Sequence, residues 1–241
     1  MAEQRTADGH WFPHSPGDAG ECLFVPGHFS FGSEQEMLGL IGRYPMAQLF
    51  TALDGRHRVT AVPMIARWGD QGGRARLFGH MARRNPQAGS VAGEADATAV
   101  FLGPGTYVSP RWFRIRKTVS TWNYLQVQVH GKLRLLSDDD TFALLGDTVA
   151  HLEAQAHPDP QAPLWSMAET DAQLLEKLRS GVVGFELEID SLEGVKRLNQ
   201  DKHIEDILSI MGGLAESPQP GAAEVLQVMA GMLASETRSG K

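Results

Sequence analysis

The sequence predicts an α+β fold, a closed or split β-barrel with flanking helices. Between residues 47 and 136, β-like segments alternate with short turn signals. One short amphipathic helix precedes them, and most of the chain after residue 137 is helical and acidic, with a single late strand-like stretch. About six short strands joined by tight turns remove their exposed edges most simply by closing on themselves, which points to a barrel.

The elements follow in order. Residues 1–22 are rich in Gly, Pro, His and Asp and read as a flexible tail. Pro13 between His10 and His14 breaks helical spacing, so these histidines read as solvated rather than metal-binding. Ser33-Glu34-Gln35-Glu36 has capping-box spacing, with Met37, Leu38, Leu40 and Ile41 behind it; this predicts a helix stopped at Tyr44-Pro45. Strands are expected at Ala47–Ala52, Arg58–Ile65, Arg76–Gly79, Thr98–Leu102, Thr106–Val108 and Leu125–Leu136. Turns are expected at Asp54-Gly55, across residues 69–73, and at Gly103-Pro104-Gly105. Asp138–His157 opens with acids that suit a helix N-terminus and continues with Phe142, Leu144, Leu145, Val149 and Leu152. Ser166-Met167-Ala168-Glu169 is a second capping box, predicted to open a helix through about Leu178. Gly181–Ile189 alternates and reads as a late barrel strand, and helices follow at Ile204–Leu214 and Ala222–Leu233. Residues 23–215 thus read as one split-barrel domain with helical insertions, and 216–241 as a C-terminal helix and tail.

Composition limits the function. The chain has 241 residues, 42% hydrophobic and 21% charged, which excludes global disorder. No apolar run reaches the roughly 18 to 20 residues needed to span a bilayer, and Met1–Asp18 lacks the apolar core of a secretory signal. The single cysteine, Cys22, excludes an internal disulfide and a two-cysteine zinc site, and fits a reducing cytoplasm. The net charge of −7 is uneven: residues 1–137 carry 15 basic and 10 acidic residues, residues 138–241 carry 7 and 19. The first part suits an anionic ligand such as a phosphate. The second repels a DNA backbone, and with no helix-turn-helix pattern DNA is disfavoured as a partner.

Two stretches carry chemistry. Gly79-His80-Met81-Ala82-Arg83-Arg84-Asn85-Pro86-Gln87 concentrates donors suited to a phosphate, a carboxylate or the edge of a flavin ring. From Gly103 to Tyr124, aromatics (Tyr107, Trp112, Phe113, Trp122, Tyr124) interleave with Arg111, Arg114, Arg116 and Lys117, a pattern that can stack a flat ring and hold its anion. No nucleophile elbow, Walker loop, dinucleotide glycine fingerprint or zinc-protease motif is present. The residues alone define an anion-and-ring site on a barrel, alongside the plainer reading of a solvated barrel rim.

The first of these stretches is followed in order by Gly103-Pro104, Tyr107-Val108-Ser109-Pro110 with Trp112, Thr121-Trp122-Asn123-Tyr124, Gly184-Phe185-Glu186 and Leu198-Asn199-Gln200. Together they resemble the PaiB family, from about Phe24 to Leu214. The resemblance implies an FMN-binding split barrel like that of pyridoxamine-phosphate oxidases, in a homodimer with its cofactor at the subunit interface and room for a small-molecule substrate. Similar haem-dependent piperazate synthases, which join two nitrogens of an N-hydroxylated ornithine, keep haem b as the alternative cofactor. A non-catalytic transcriptional regulator is the third reading. Candidate cofactor contacts are His80, Arg83, Asn85, Gln87, Tyr107, Ser109, Trp112, Thr121, Trp122, Asn123, Arg197 and Gln200, with His80 as axial metal ligand if the cofactor is haem. No residue is assigned a catalytic role. The chain departs from the family at Ala61 and Gly105, where site histidines are usual, and at Ser120, Ala88 and Arg197-Leu198-Asn199; all these changes are expected in or beside loops.

Overall fold

Alternation of buried and exposed side chains runs along the strands and closes them around one apolar core. The computed structural model describes residues 22–53, 55–69, 73–91, 93–115, 118–157, 159 and 161–238. Its strands are β1 (Met46–Leu53), β2 (Arg56–Gly69), β3 (Gly73–Ala82), β4 (Ala95–Val108), β5 (Thr121–Leu135) and β6 (Val182–Arg197). All pairings are antiparallel, and the order β1-β2-β3-β6-β5-β4 closes when β4 meets β1. Leu49, Val62, Met64, Leu77, Ala99, Phe101, Val127, Val129, Phe185 and Leu187 fill the interior.

The split lies along β6. This strand pairs with β3 from Val182 to Glu188 and with β5 from Phe185 onward; beyond Glu188 it keeps only β5, and a lone bridge from Ser30 to Val195 touches its other edge. The late strand therefore runs well past the expected Ile189. A register shift at His130/Gly131 marks the change. Gly131 has no alternative there, because an added Cβ would collide with the Glu188 carbonyl.

Two other expectations change. Gly103-Pro104-Gly105 is not a turn between strands; it is an irregularity inside continuous β4, where the register slips between Leu102 and Gly105. A bulge absorbs the missing N–H of proline. The Ser166–Glu169 capping box forms as read, yet it closes only a 3-10 turn, Met167–Glu169. The next helix has its own cap: Asp171 accepts from the amides of Gln173 and Leu174.

Helix α1 (Glu34–Arg43) is capped by Ser33, and buries Leu38, Leu40 and Ile41. A four-residue helix, α2 (Pro86–Gly89), follows β3. The long α3 (Asp138–Ala156) is capped by Ser137, and α4 (Ala172–Gly181) leads into β6. Helices α5 (Ile204–Ala215) and α6 (Ala222–Arg238) send Ile207, Ile210, Leu214, Val225 and Met229 into the same core as the strands. The C-terminal helix is thus part of the barrel's packing. Thr141 of α3 accepts from the Gly184 amide at 2.9 Å, which lays α3 on the outer side of β6 and β3. Helix α3 also reaches the far part of β2, where Arg67 pairs with Asp147, while the outer side of β1, β4, β5 and the first part of β2 stays open, with Met46, Val59, Leu102 and Trp122 about half exposed.

Candidate functional site

The candidate residues separate into scaffold positions and one exposed group. His80 lies within β3 rather than after it, opposite Gly184, on the side that α3 covers. Its Nδ1 is buried without a hydrogen-bond partner, and burial pushes its pKa below the ordinary 6.5, favouring the neutral ring. Arg83 pairs with Asp138 at 2.6 Å and donates from Nε to the Ser180 carbonyl, tying the start of α3 to the end of α4.

Asn85 and Gln87 fasten the α2 turn. Asn85 caps it by accepting from the Gln87 amide, and its Nδ2 donates to Thr60 Oγ1 at 2.9 Å. Gln87 is 1% exposed; its Nε2 donates to the Leu49 carbonyl at 2.9 Å and Thr51 Oγ1 at 3.1 Å. Ser109 caps the 3-10 turn Pro110–Trp112. The Trp112 ring lies against Gly213 of α5, where no Cβ would fit. Asn123 is fully buried, and its Oδ1 accepts from Asn199 Nδ2 at 2.7 Å. Asn199 sits at φ +60, a left-handed conformation that asparagine tolerates better than most residues. Gln200 closes the turn after β6 by accepting from the Leu198 amide and donating to the Lys196 carbonyl. Thr121 begins β5 opposite Val108.

Tyr107 and Trp122 meet on the outer surface, with Arg197 in the neighbouring row. Trp122 is 56% exposed and opposes Tyr107 across the strands; their rings meet edge-on at 6.5 Å. In the next row Tyr124 lies between Gly105 on β4 and Arg197 on β6. Residues directly opposed in a sheet share a face, so Gly105, Tyr124 and Arg197 form one outward row beside the aromatic pair. The Arg197 guanidinium lies 5.2 Å from the Phe29 ring centre, and its Nε is buried with no partner. The two departures from the family histidines belong here as well. Ala61 and Gly105 are not in loops: both lie inside strands, Ala61 opposite Gln48 and Gly105 opposite Tyr124. Gln126 and Gln128 were not among the candidates, although period-two alternation along β5 places them, like Tyr124, on Trp122's side.

Of the basic stretch, Arg84 and Arg111 are exposed and make no ion pair among the described residues. Arg114 is held by α5: its amide and that of Ile115 donate to Asp206, and its Nε donates to Ser209. Burial alone would raise the Asp206 carboxyl, but these two amides, helped by His203 and Lys202, hold it below the ordinary carboxylate value. Arg116 and Lys117 lie outside the described residues, as do His10 and His14. A cavity of about 160 Å³ between α1 and β6, lined by Glu34, Met37, Ala75, Ile189, Asp190, Ser191 and Leu192, touches none of the candidates.

FMN needs a flat wall, donors at its ring edge and a cation for its phosphate. The exposed group supplies all three kinds: Trp122, Tyr107 and Tyr124 as walls, strand glutamines as amides, and Arg197 with an unspent buried donor. A family model described as "Putative FMN-binding domain" matches residues 23–191, from the segment before α1 into β6. The chain belongs to that family. It is a flavin-binding protein of the PaiB type, with FMN as its cofactor. It is 25% identical over 207 residues to the protease synthase and sporulation protein PAI 2 of Bacillus subtilis, covering 86% of this chain and 96% of that one. It is also 28% identical over 151 residues to the uncharacterized protein AN0679 of Emericella nidulans, covering 52% of this chain and 60% of that one. Among solved structures, the FAD and heme binding protein from Mycobacterium smegmatis shares the fold, with 17% identity, a TM-score of 0.51, and coverage of 75% of this chain and 79% of that one. No helix among the described residues is long and apolar enough to cross a membrane.

Proposed function

We propose that this protein is a cytoplasmic homodimer that holds FMN on the uncovered side of its barrel and uses it for redox chemistry on a small molecule. The observation that carries this reading is the row of outward residues, with Trp122 exposed beside Tyr107 and the Arg197 Nε buried without a partner. Trp122 and Tyr107 would flank the ring system, and Arg197 would face the anionic part of the cofactor. Bound FMN supplies a two-electron acceptor and donor. The chain orients the ring, excludes water from one face and leaves the other to the substrate.

A second copy is the natural cover. Met46, Val59, Leu102 and Trp122 stand on adjoining strands, and an isologous pairing of this side would bury them. Placing the cofactor between subunits would complete a site that one barrel leaves open. The flavin reading is favoured over haem because His80, the expected axial ligand, lies beside α3 rather than on the open side.

Light scattering combined with a spectral titration of the purified protein tests this. A homodimer burying more than about 2,000 Å², with one FMN per chain, is the expected result. A monomer at micromolar concentration, or a dimer that takes haem and refuses FMN, would overturn the proposal.

A further inference from the structure

One cluster of ligating side chains lies farther along the same side of β5 and β6 as the flavin row, beginning at Glu193 opposite Gln128. Among the described residues, Cys22, His130 and Glu193 each offer one ligand atom, and these atoms lie within 4.8 Å of one another. They come from three places: the segment before α1, β5 at its register shift, and the half of β6 that has left β3. Cys22, expected in a loose tail, is held in place. Its amide donates to the Glu193 carboxylate at 3.2 Å, and the Leu23 amide donates to the same oxygen at 2.7 Å.

His130 provides an independent sign of a missing ligand. Its Nδ1 lies 2.9 Å from Thr98 Oγ1 on the neighbouring strand. Its Nε2 is buried and has no hydrogen-bond partner. An imidazole fixed at one nitrogen by a neighbour, with the other nitrogen unspent, is the arrangement of a metal-ligating histidine and its supporting shell. A buried polar atom without a partner costs free energy, so something should satisfy it.

From this geometry we propose that Cys22, His130 and Glu193 bind a zinc ion that pins the N-terminal segment to the β5–β6 edge. A thiolate, an imidazole and a carboxylate are all ordinary zinc ligands, whereas calcium and magnesium favour oxygen-only sets. Tetrahedral zinc places such donors roughly 3.3 to 3.7 Å apart, by its bond lengths of about 2.0 to 2.3 Å. The observed spacing reaches that with small rotations of the exposed Cys22 side chain. On binding, the Cys22 thiol gives its proton to solvent and its sulfur becomes the anionic ligand. Three protein ligands leave the fourth position to water.

Cobalt(II), as a spectroscopic stand-in for zinc, tests the site on the full chain with FMN bound. One cobalt per chain is expected, with a thiolate-to-metal charge-transfer band that disappears in Cys22→Ser. Zinc should compete it away. His130→Gln and Glu193→Gln should each weaken binding about tenfold or more. Thr98→Val, which removes only the support of the ring, should weaken it about tenfold while keeping the band. Because Cys22 is exposed, Cys22→Ser should fold and bind FMN normally, so its result stands even if a histidine variant misfolds. Cobalt binding without a thiolate band, or equal affinity in Cys22→Ser, would overturn the proposal; so would the absence of binding at micromolar metal.

Discussion

Replacing Gln87 with alanine separates a scaffold role from a cofactor role at a residue whose type suggests the latter. The side chain is buried, and its Nε2 holds the Leu49 carbonyl and Thr51 Oγ1 at 2.9 and 3.1 Å, with the Arg58 carbonyl farther away at 3.5 Å. Two good hydrogen bonds contribute about 0.5 to 1.5 kcal/mol each, and the truncation adds unpaired acceptors and a small cavity. The combined loss should be about 2 to 4 kcal/mol, a fall in Tm of roughly 4 to 16 °C for a chain of this size. Thermal melting followed by circular dichroism reads it directly. FMN affinity, measured well below the transition, should stay at the wild-type level. A variant that melts with the wild type but binds FMN about tenfold more weakly would refute the reasoning and place Gln87 in the cofactor site.

Three further outcomes follow from the same geometry. Gly131→Ala should prevent normal folding, seen as loss of soluble protein or of cooperative melting, because its Cβ has only the Glu188 carbonyl to occupy. His80 is held below its ordinary pKa of 6.5 by burial, so the unfolded chain takes up its proton first as pH falls. Stability should therefore decline from about pH 6.5 down to the lower folded value, and urea midpoints of His80→Gln should lack that part of the slope. Asp206→Ala strands the amides of Arg114 and Ile115 and should cost about 1 to 3 kcal/mol near neutral pH. Because the folded Asp206 carboxyl is depressed, its contribution is present above the ordinary 3.8 and lost as pH falls through the folded value, so wild type and variant should converge in acid.

Much of the fold was legible because barrel strands alternate. Val127, Val129 and Leu133 mark β5 directly, and Ser33 and the acids from Asp138 mark the helix starts where they occur. Illegible features were those set by tertiary contact. Gly-Pro-Gly at 103–105 has turn chemistry, but pairing with β5 on both sides keeps it in one strand. The extension of β6 past Ile189 depends on β5 continuing beside it. For the site, residue type alone could not separate polar groups that hold the barrel from those that face a ligand. Asn85, Gln87 and Asn123 look like cofactor contacts in the sequence and donate their side-chain amides to the scaffold, although Gln87 Oε1 is left unpaired. Trp122 and Arg197 emerge as a pair only through the register of β4, β5 and β6. The Cys22–His130–Glu193 cluster gave no sequence signal, since its members are more than 60 residues apart and share no spacing rule.

FMN affinity of Trp122→Ala beside the wild type is the most direct test of where the cofactor lies. Trp122 also stands on the face proposed to pair two copies, so affinity is compared on variant protein that light scattering shows to be dimeric and circular dichroism shows to be folded. If its ring is a wall of the flavin site, losing the stack should cost about 1 to 3 kcal/mol, by analogy with aromatic–base stacking, and weaken FMN about tenfold or more. An unchanged dissociation constant in a folded Trp122→Ala protein would contradict the account and move the cofactor off the open side of the barrel.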